Sequence, residues 1–248
     1  MQPASAQPSD ILRIVPAGDE ALVVDFPAVI SRDVNGQVRK LFHALRTGNA
    51  PAIKGLVPSY RSLLVYYDPS LTAFAALADL VRTVSETAEN AAEPTRRWTL
   101  PVCYGMGCEA DLDDLAGRLG LSTETIIATH SATTYMVYMI GFSPGFAYLG
   151  ELPPQLEIPR KTVPAPLVPA NTVQIGGRQT AVSSMPMPSG WYVVGRTPVP
   201  MFAAARKAPF LLDGGDLVSF ERVSTAEFAR IASRVEQNSY VPPSEYVA

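Results

Sequence analysis

The chain has 248 residues, of which 47% are hydrophobic and 17% charged, with two cysteines and a formal net charge of −3. That apolar content suffices for buried cores without disulfide staples, and a slightly negative chain supplies no basic field for nucleic acid or an anionic membrane. No apolar run approaches the ~20 residues of a membrane span, so a soluble cytoplasmic protein is expected, with neither nucleic acid nor membrane as a partner.

The first ten residues, MQPASAQPSD, are polar with two prolines and read as a disordered tail rather than a signal peptide. Glu20 to Phe26 is strand-like. In NGQVRKLFHALRT, residues Val38, Leu41, Phe42 and Leu45 recur at helical spacing and form one apolar stripe, with His43 off it. The segments IKGLVPS and RSLLVYYD read as strands, LTAFAALADLVRTVSETA as a second amphipathic helix, and RRWTLPVCY as a further strand. This β-α-β-β-α-β order predicts a ferredoxin-like α/β sandwich over residues 11–94, with ENAAEPTRR as the link to a second domain over 95–248.

The second half changes character. Short helices are expected near Asp111 to Leu119 and Ser122 to His130. Beyond them, prolines from Pro144 to Pro188 leave no room for a helix. Strand candidates TYMVYMI, TVQIG, RQTAVSS, GWYVVGR and DLVSFERV, with turns at GGR and DGGD, predict a closed or nearly closed barrel. A last helix starts at Ser224 with a capping box to Glu227. Cys103 and Cys108 have no second pair and no nearby histidine to complete a metal site, so reduced, unpaired thiols are expected. No Walker A loop, G-x-G-x-x-G, biotinyl-lysine motif or H-E-x-x-H occurs, and no bound metal or organic cofactor is expected for this chain.

Gly141 to Gly145 spells G-x-S-x-G, the form of a hydrolase nucleophile elbow. Three features argue against a nucleophilic Ser143. The next residue, Pro144, has no N–H for an oxyanion hole. No helix follows, because Gly150, Pro153 and Pro154 interrupt the chain. Both histidines, His43 and His130, precede the serine, whereas the hydrolase order places the histidine after it.

The same loop belongs with three later pieces, IPR from Ile158, VPANTVQIGGRQT from Val168 and SGWYVVGRTP from Ser189. Together they supply apolar walls (Phe142, Phe146, Tyr148, Trp191), glycines that let backbone approach a ligand (Gly145, Gly176, Gly177, Gly190), and polar heads (Arg160, Gln179, Arg196). That mixture suits a small anionic ligand in an apolar pocket.

This ordered set, with His130 and Ser131 upstream, resembles the B subunit of the prokaryotic 5-oxoprolinase, a family that also includes Kip-type kinase inhibitors and the first subunit of allophanate hydrolase-like proteins. The resemblance extends from about Ile14 to Val223 and implies a cyclophilin-like β-barrel after the ferredoxin-like domain, an α+β protein overall. The activity it implies is ATP-dependent opening of 5-oxoproline to L-glutamate, in a complex with an A subunit and a KipA-like C subunit, ATP being held by or shared with those partners. Carried onto this chain, it implies His130, Arg160 and Arg196 as catalytic residues, His130 having the matched pKa of an acid/base. Phe142, Pro144, Gly145, Phe146, Tyr148, Gln179, Trp191 and Thr197 are the implied substrate contacts. The chain departs from the family pattern at Met106 to Ala110, Ala165, Asn171 and Ser183. The alternatives are therefore a regulator that occludes a sensor histidine kinase, and an allophanate hydrolase-like subunit with another small amide.

Overall fold

A computed structural model describes residues 12–88, 95–107 and 109–247; the expected tail over residues 1–10 and the thiol of Cys108 lie outside them. The chain divides into two compact units, Met1–Glu93 and Pro94–Ala248.

The first unit is a four-stranded antiparallel sheet of β1 (Arg13–Pro16), β2 (Ala21–Asp25), β3 (Ile53–Pro58) and β4 (Ser62–Tyr67), in the order β1-β2-β4-β3. Alternate residues Leu22, Val24, Leu63 and Val65 are fully buried. They pack with Val38 and Leu41 of α1 (Arg32–Thr47) and with Leu77 and Val81 of α2 (Phe74–Thr87). Ser31 caps α1 by accepting the Val34 N–H. One expectation is corrected. The segment read as the closing strand of this unit, RRWTLPVCY, is β5 (Thr95–Tyr104) and belongs to the second unit. Its place at the sheet edge is taken by the short β1, paired along β2 from Arg13↔Asp25 to Pro16↔Leu22.

The second unit is a closed barrel. Its strands are β5, β6 (Thr134–Ile140), β7 (Ala147–Gly150), β9 (Thr172–Gly176), β10 (Gln179–Val182), β12 (Tyr192–Arg196) and β13 (Leu217–Arg222). They follow one another as β12-β9-β10-β7-β6-β13-β5, and antiparallel pairing of Gly195 with Tyr104 and Arg196 with Cys103 closes the ring. A long β5 makes this closure possible, since β13 runs parallel to it and β14 (Ser244–Val247) adds antiparallel at its start. The proline-rich stretch forms a two-stranded arm of β8 (Ala165–Val168) and β11 (Met187–Ser189). Helices α3 (Glu109–Leu119), α4 (Thr123–Ser131) and α5 (Thr225–Glu236) contribute buried Leu112, Leu115, Ile126 and Phe228. Ser122 and Ser224 cap α4 and α5 from their side chains. Among the described residues, no helix is long and apolar enough to cross a membrane.

Candidate functional site

The wall formed by β7, β10, β9 and β12 has two faces. Thr180 lies opposite Leu149 and Ile175, so these three share the inner face. Ala181 lies opposite Tyr148 and Gln174, which places Tyr148, Gln174, Gln179 and Ala181 on the outer face.

His130 sits on the inner side. It is 0% exposed, its ring stacks on Phe220 at 4.9 Å, and both its nitrogens are committed. Nδ1 is 2.8 Å from the Tyr104 hydroxyl and Nε2 is 2.9 Å from Thr180 Oγ1. Thr180 donates its own proton to the Gln174 carbonyl, so Thr180 Oγ1 must accept from His130 Nε2–H. Nδ1 is then the acceptor for the Tyr104 hydroxyl. Burial holds the His130 imidazole down at a pKa of about 3 and pushes the Tyr104 phenol well up. The result is a neutral, fully bonded chain Tyr104–His130–Thr180–Gln174 in the core.

On the outer face, an aromatic row runs Phe142–Phe146–Tyr148–Trp191, with ring centroids 6.0, 4.6 and 6.0 Å apart. Trp191 lies over Gly176, where any Cβ would strike the indole at 2.8 Å. Arg160 is exposed and stands 5.1 Å from the Trp191 ring centroid, a cation–π contact. Gln179 follows the hairpin turn that starts at Gly176; it is buried, and its Nε2 has no hydrogen-bond partner among the described residues. Burial raises the Tyr148 phenol, opposed by Arg160, so its hydroxyl stays protonated at neutral pH. These four residues combine a cation, an unmatched amide donor and an apolar wall.

Arg196 is elsewhere. It pairs with Thr172, four residues along β9 from Gly176, which is roughly 13 Å at the rise of a strand. There it is half-buried, with Nε lacking a hydrogen-bond partner among the described residues. Thr197 is buried beside it; its N–H donates to Asn171 O, and its hydroxyl accepts from Val199 N. The GFSPG loop serves this end. It joins β6 to β7 as a hairpin, and Ser143 Oγ bonds Ser184 Oγ at 3.2 Å. A strand, not a helix, follows the serine. Gly145, at φ 77°, has no room for a Cβ, which would lie 2.7 Å from Phe202 Cβ. Pro144 and Phe142 are exposed, Phe142 by 77%.

The residues expected to act together thus divide three ways: Arg160, Tyr148, Gln179 and Trp191 at one end of the outer face, Arg196, Thr197 and the loop at the other, and His130 behind the wall. Sequence reading missed Tyr104, Thr180, Asp111 and Lys161. Lys161 Nζ lies 2.5 Å from Asp111 Oδ1, and Asp111 Oδ2 accepts the Val193 N–H at 2.9 Å. Nothing in a single sequence links α3 to a proline-rich strap fifty residues later.

The family model for the carboxyltransferase domain, subdomain C and D, matches residues 12–212. The chain is 34% identical to the 5-oxoprolinase B subunit of Bacillus subtilis, covering 85% of this chain and 92% of the relative. It is 36% identical to the 5-oxoprolinase B subunit of Escherichia coli O157:H7, covering 82% and 92%. The Kluyveromyces lactis urea carboxylase structure covers 99% of this chain and 25% of its own, with a TM-score of 0.83 at 17% identity, a likeness of fold.

Proposed function

We propose that this chain, which belongs to the family of 5-oxoprolinase B subunits, serves as one component of an ATP-dependent complex that opens 5-oxoproline, a cyclic amide, to L-glutamate. The observation that carries the reading is the buried, unmatched Nε2 of Gln179 beside Arg160, Trp191 and Tyr148. A small lactam acid fits that set. Its carboxylate pairs with the Arg160 guanidinium, its ring lies on the aromatic wall that includes Tyr148, and its carbonyl accepts from the Gln179 amide, which is covered in the free chain and turns outward to meet it.

Opening the lactam also needs proton transfer, and in this reading His130 does not perform it. A neutral imidazole with both nitrogens bonded and no solvent contact has neither a proton nor a lone pair to exchange with substrate. Its role is to brace Thr180 and β10 from behind, and so to fix Gln179 one residue away. Arg196 offers a second anion contact at the far end of the same face.

We read no nucleotide site among the described residues: the N-termini of α1, α4 and α5 are capped by Ser31, Ser122 and Ser224, the uncapped α2 follows Ala73 with no glycine-rich loop before it, and the glycine-rich turn at Gly176–Gly177 joins two strands rather than opening a helix. ATP is therefore assigned to the A and C subunits or to a surface shared with them. An apolar rim suits such a shared surface. Phe142 and Phe210 are exposed, joined through Gly145 against Phe202 and the Phe202–Phe210 ring contact at 5.2 Å.

Reconstitution with cognate A and C subunits, 5-oxoproline and ATP tests the reading through L-glutamate release. Gln179→Leu is expected to weaken 5-oxoproline binding about tenfold, the cost of one hydrogen bond. An assembled complex that turns over a different amide but not 5-oxoproline would overturn the substrate assignment.

A further inference from the structure

Arg160 is exposed and lies on an irregular stretch, yet its guanidinium is placed over one indole face. Three clasps surround it. Ile158 and Gly177 exchange both backbone hydrogen bonds, at 3.1 and 2.6 Å. Lys161 N–H donates to Gly190 O at 2.7 Å, which ties the strap to the residue before Trp191. Lys161 Nζ meets Asp111 Oδ1 at 2.5 Å, with the two side chains only 16% and 25% exposed.

The third clasp is the unusual one, because it reaches across to α3. Val193 pairs with Gln174 of β9 on one side. On its other side β12 meets β5 only from Val194 onward, where Val194 O accepts from Gly105 N–H, leaving the Val193 N–H without a strand partner. Asp111 Oδ2 takes that place. One carboxylate therefore holds two things at once, the strand that Trp191 leads into and the strap that carries Arg160. The Lys161 ammonium also lies 5.2 Å from the Tyr192 ring centroid, which leaves it little freedom to reach another anion.

We propose that Asp111 is a positioning residue that, through Lys161 and Val193, sets the Arg160 guanidinium over Trp191. The inference rests on the reading of Arg160, Gln179 and Trp191 as the lactam-acid site. If the clasp opens, Arg160 keeps its charge but loses its address. Affinity for an anionic ligand then falls although no ligand contact has been removed.

The test uses the full chain labelled with 5-fluorotryptophan. Its two tryptophans give two fluorine signals; Trp191→Phe assigns them, and Trp98 reports on folding. Asp111→Asn keeps the shape and the bond from Val193 while removing the charge that holds Lys161, and Lys161→Met removes the other partner from a strap outside the barrel. Each is expected to move the Trp191 signal in the direction that Arg160→Ala moves it, to leave Trp98 unmoved, and to weaken 5-oxoproline binding about tenfold. In the Arg160→Ala background neither should add to the loss, because residues acting through one another are not additive. Full, additive losses in that background, or a Trp191 signal that answers Arg160→Ala but neither clasp variant, would overturn the proposal. Should the wild-type chain not bind 5-oxoproline, the substrate reading fails, and the fluorine cycle still decides whether Asp111 positions Arg160.

Discussion

His130 illustrates how far an environment can take a residue from its usual chemistry. In water its imidazole titrates near neutrality, and on that ground it reads from sequence as an acid/base; in the core its pKa falls to about 3 because burial penalises the cation. The linkage follows with a definite sign. The unfolded chain binds a proton below about pH 6.5 that the folded chain refuses, so stability is complete above that pH and declines as pH falls toward 3, at about 1.4 kcal/mol per unit. Urea unfolding of wild type and His130→Leu at pH 7.5 and 5.0 checks this. The variant should be less stable at pH 7.5 by about 2–4 kcal/mol, with a markedly smaller difference between the two pH values. Ser143 makes the opposite point: its motif is familiar and its surroundings ordinary. Ser143→Ala should leave turnover of the reconstituted complex within about threefold, whereas Arg196→Ala, which removes a half-buried cation, should cost at least tenfold in kcat/KM. A hundredfold loss in Ser143→Ala would restore the nucleophile reading.

At the level of elements, regular patterns were legible and irregular ones were not. β6 and β9 match their sequence readings residue for residue, because β-branched and aromatic runs bounded by turn residues have few other uses. The Ser224 cap bonding Glu227 N–H is likewise where the motif put it. The four-residue β1 was missed, and β5, although inside the 95–248 boundary, was counted as the closing strand of the first unit, because partner choice for an edge strand is a long-range matter that local propensity does not encode. The two strands of the proline-rich arm, β8 and β11, were not among the strand candidates. Within the site, the aromatic row and Arg160 with Gln179 were readable as chemistry. Their separation from Arg196 by the length of β9 was not, since it depends on register. Gly195 shows what closure requires. A Cβ there would sit 2.9 Å from both Cys103 O and Val102 Cγ1, so Gly195→Ala should destabilise the second unit by about 2 kcal/mol. The check is a lowered denaturation midpoint with an unchanged urea m-value; a changed m-value would indicate that closure itself had failed.

At the level of the whole molecule, the proposed site has donors, a cation and an aromatic wall, and among the described residues the acid/base candidate His130 is sealed behind them. The purified chain is therefore expected to bind ligand yet show no ATPase or 5-oxoprolinase turnover until the A and C subunits are added; robust turnover by the chain alone would refute this. Phe142→Asp probes assembly without touching the fold, because its ring is exposed. It should weaken capture of the C subunit about tenfold while leaving the melting temperature unchanged. The long strand β5 has a further consequence, in the time domain. Its strand partners are β12 and β13 in the barrel and β14 at its edge, which begin at residues 192, 217 and 244, so during synthesis β5 emerges many residues ahead of every strand that pairs with it. The first unit completes its sheet by Tyr67 and can fold while the ribosome is still at work. The barrel must wait, its apolar Trp98, Leu100 and Val102 without their strand partners until β12 and β13 arrive. Slow elongation or a stalled ribosome in the second half of the message should thus make this chain a client of holding chaperones, and aggregation of nascent chains should set in after residue 104 and ease once β13 is made.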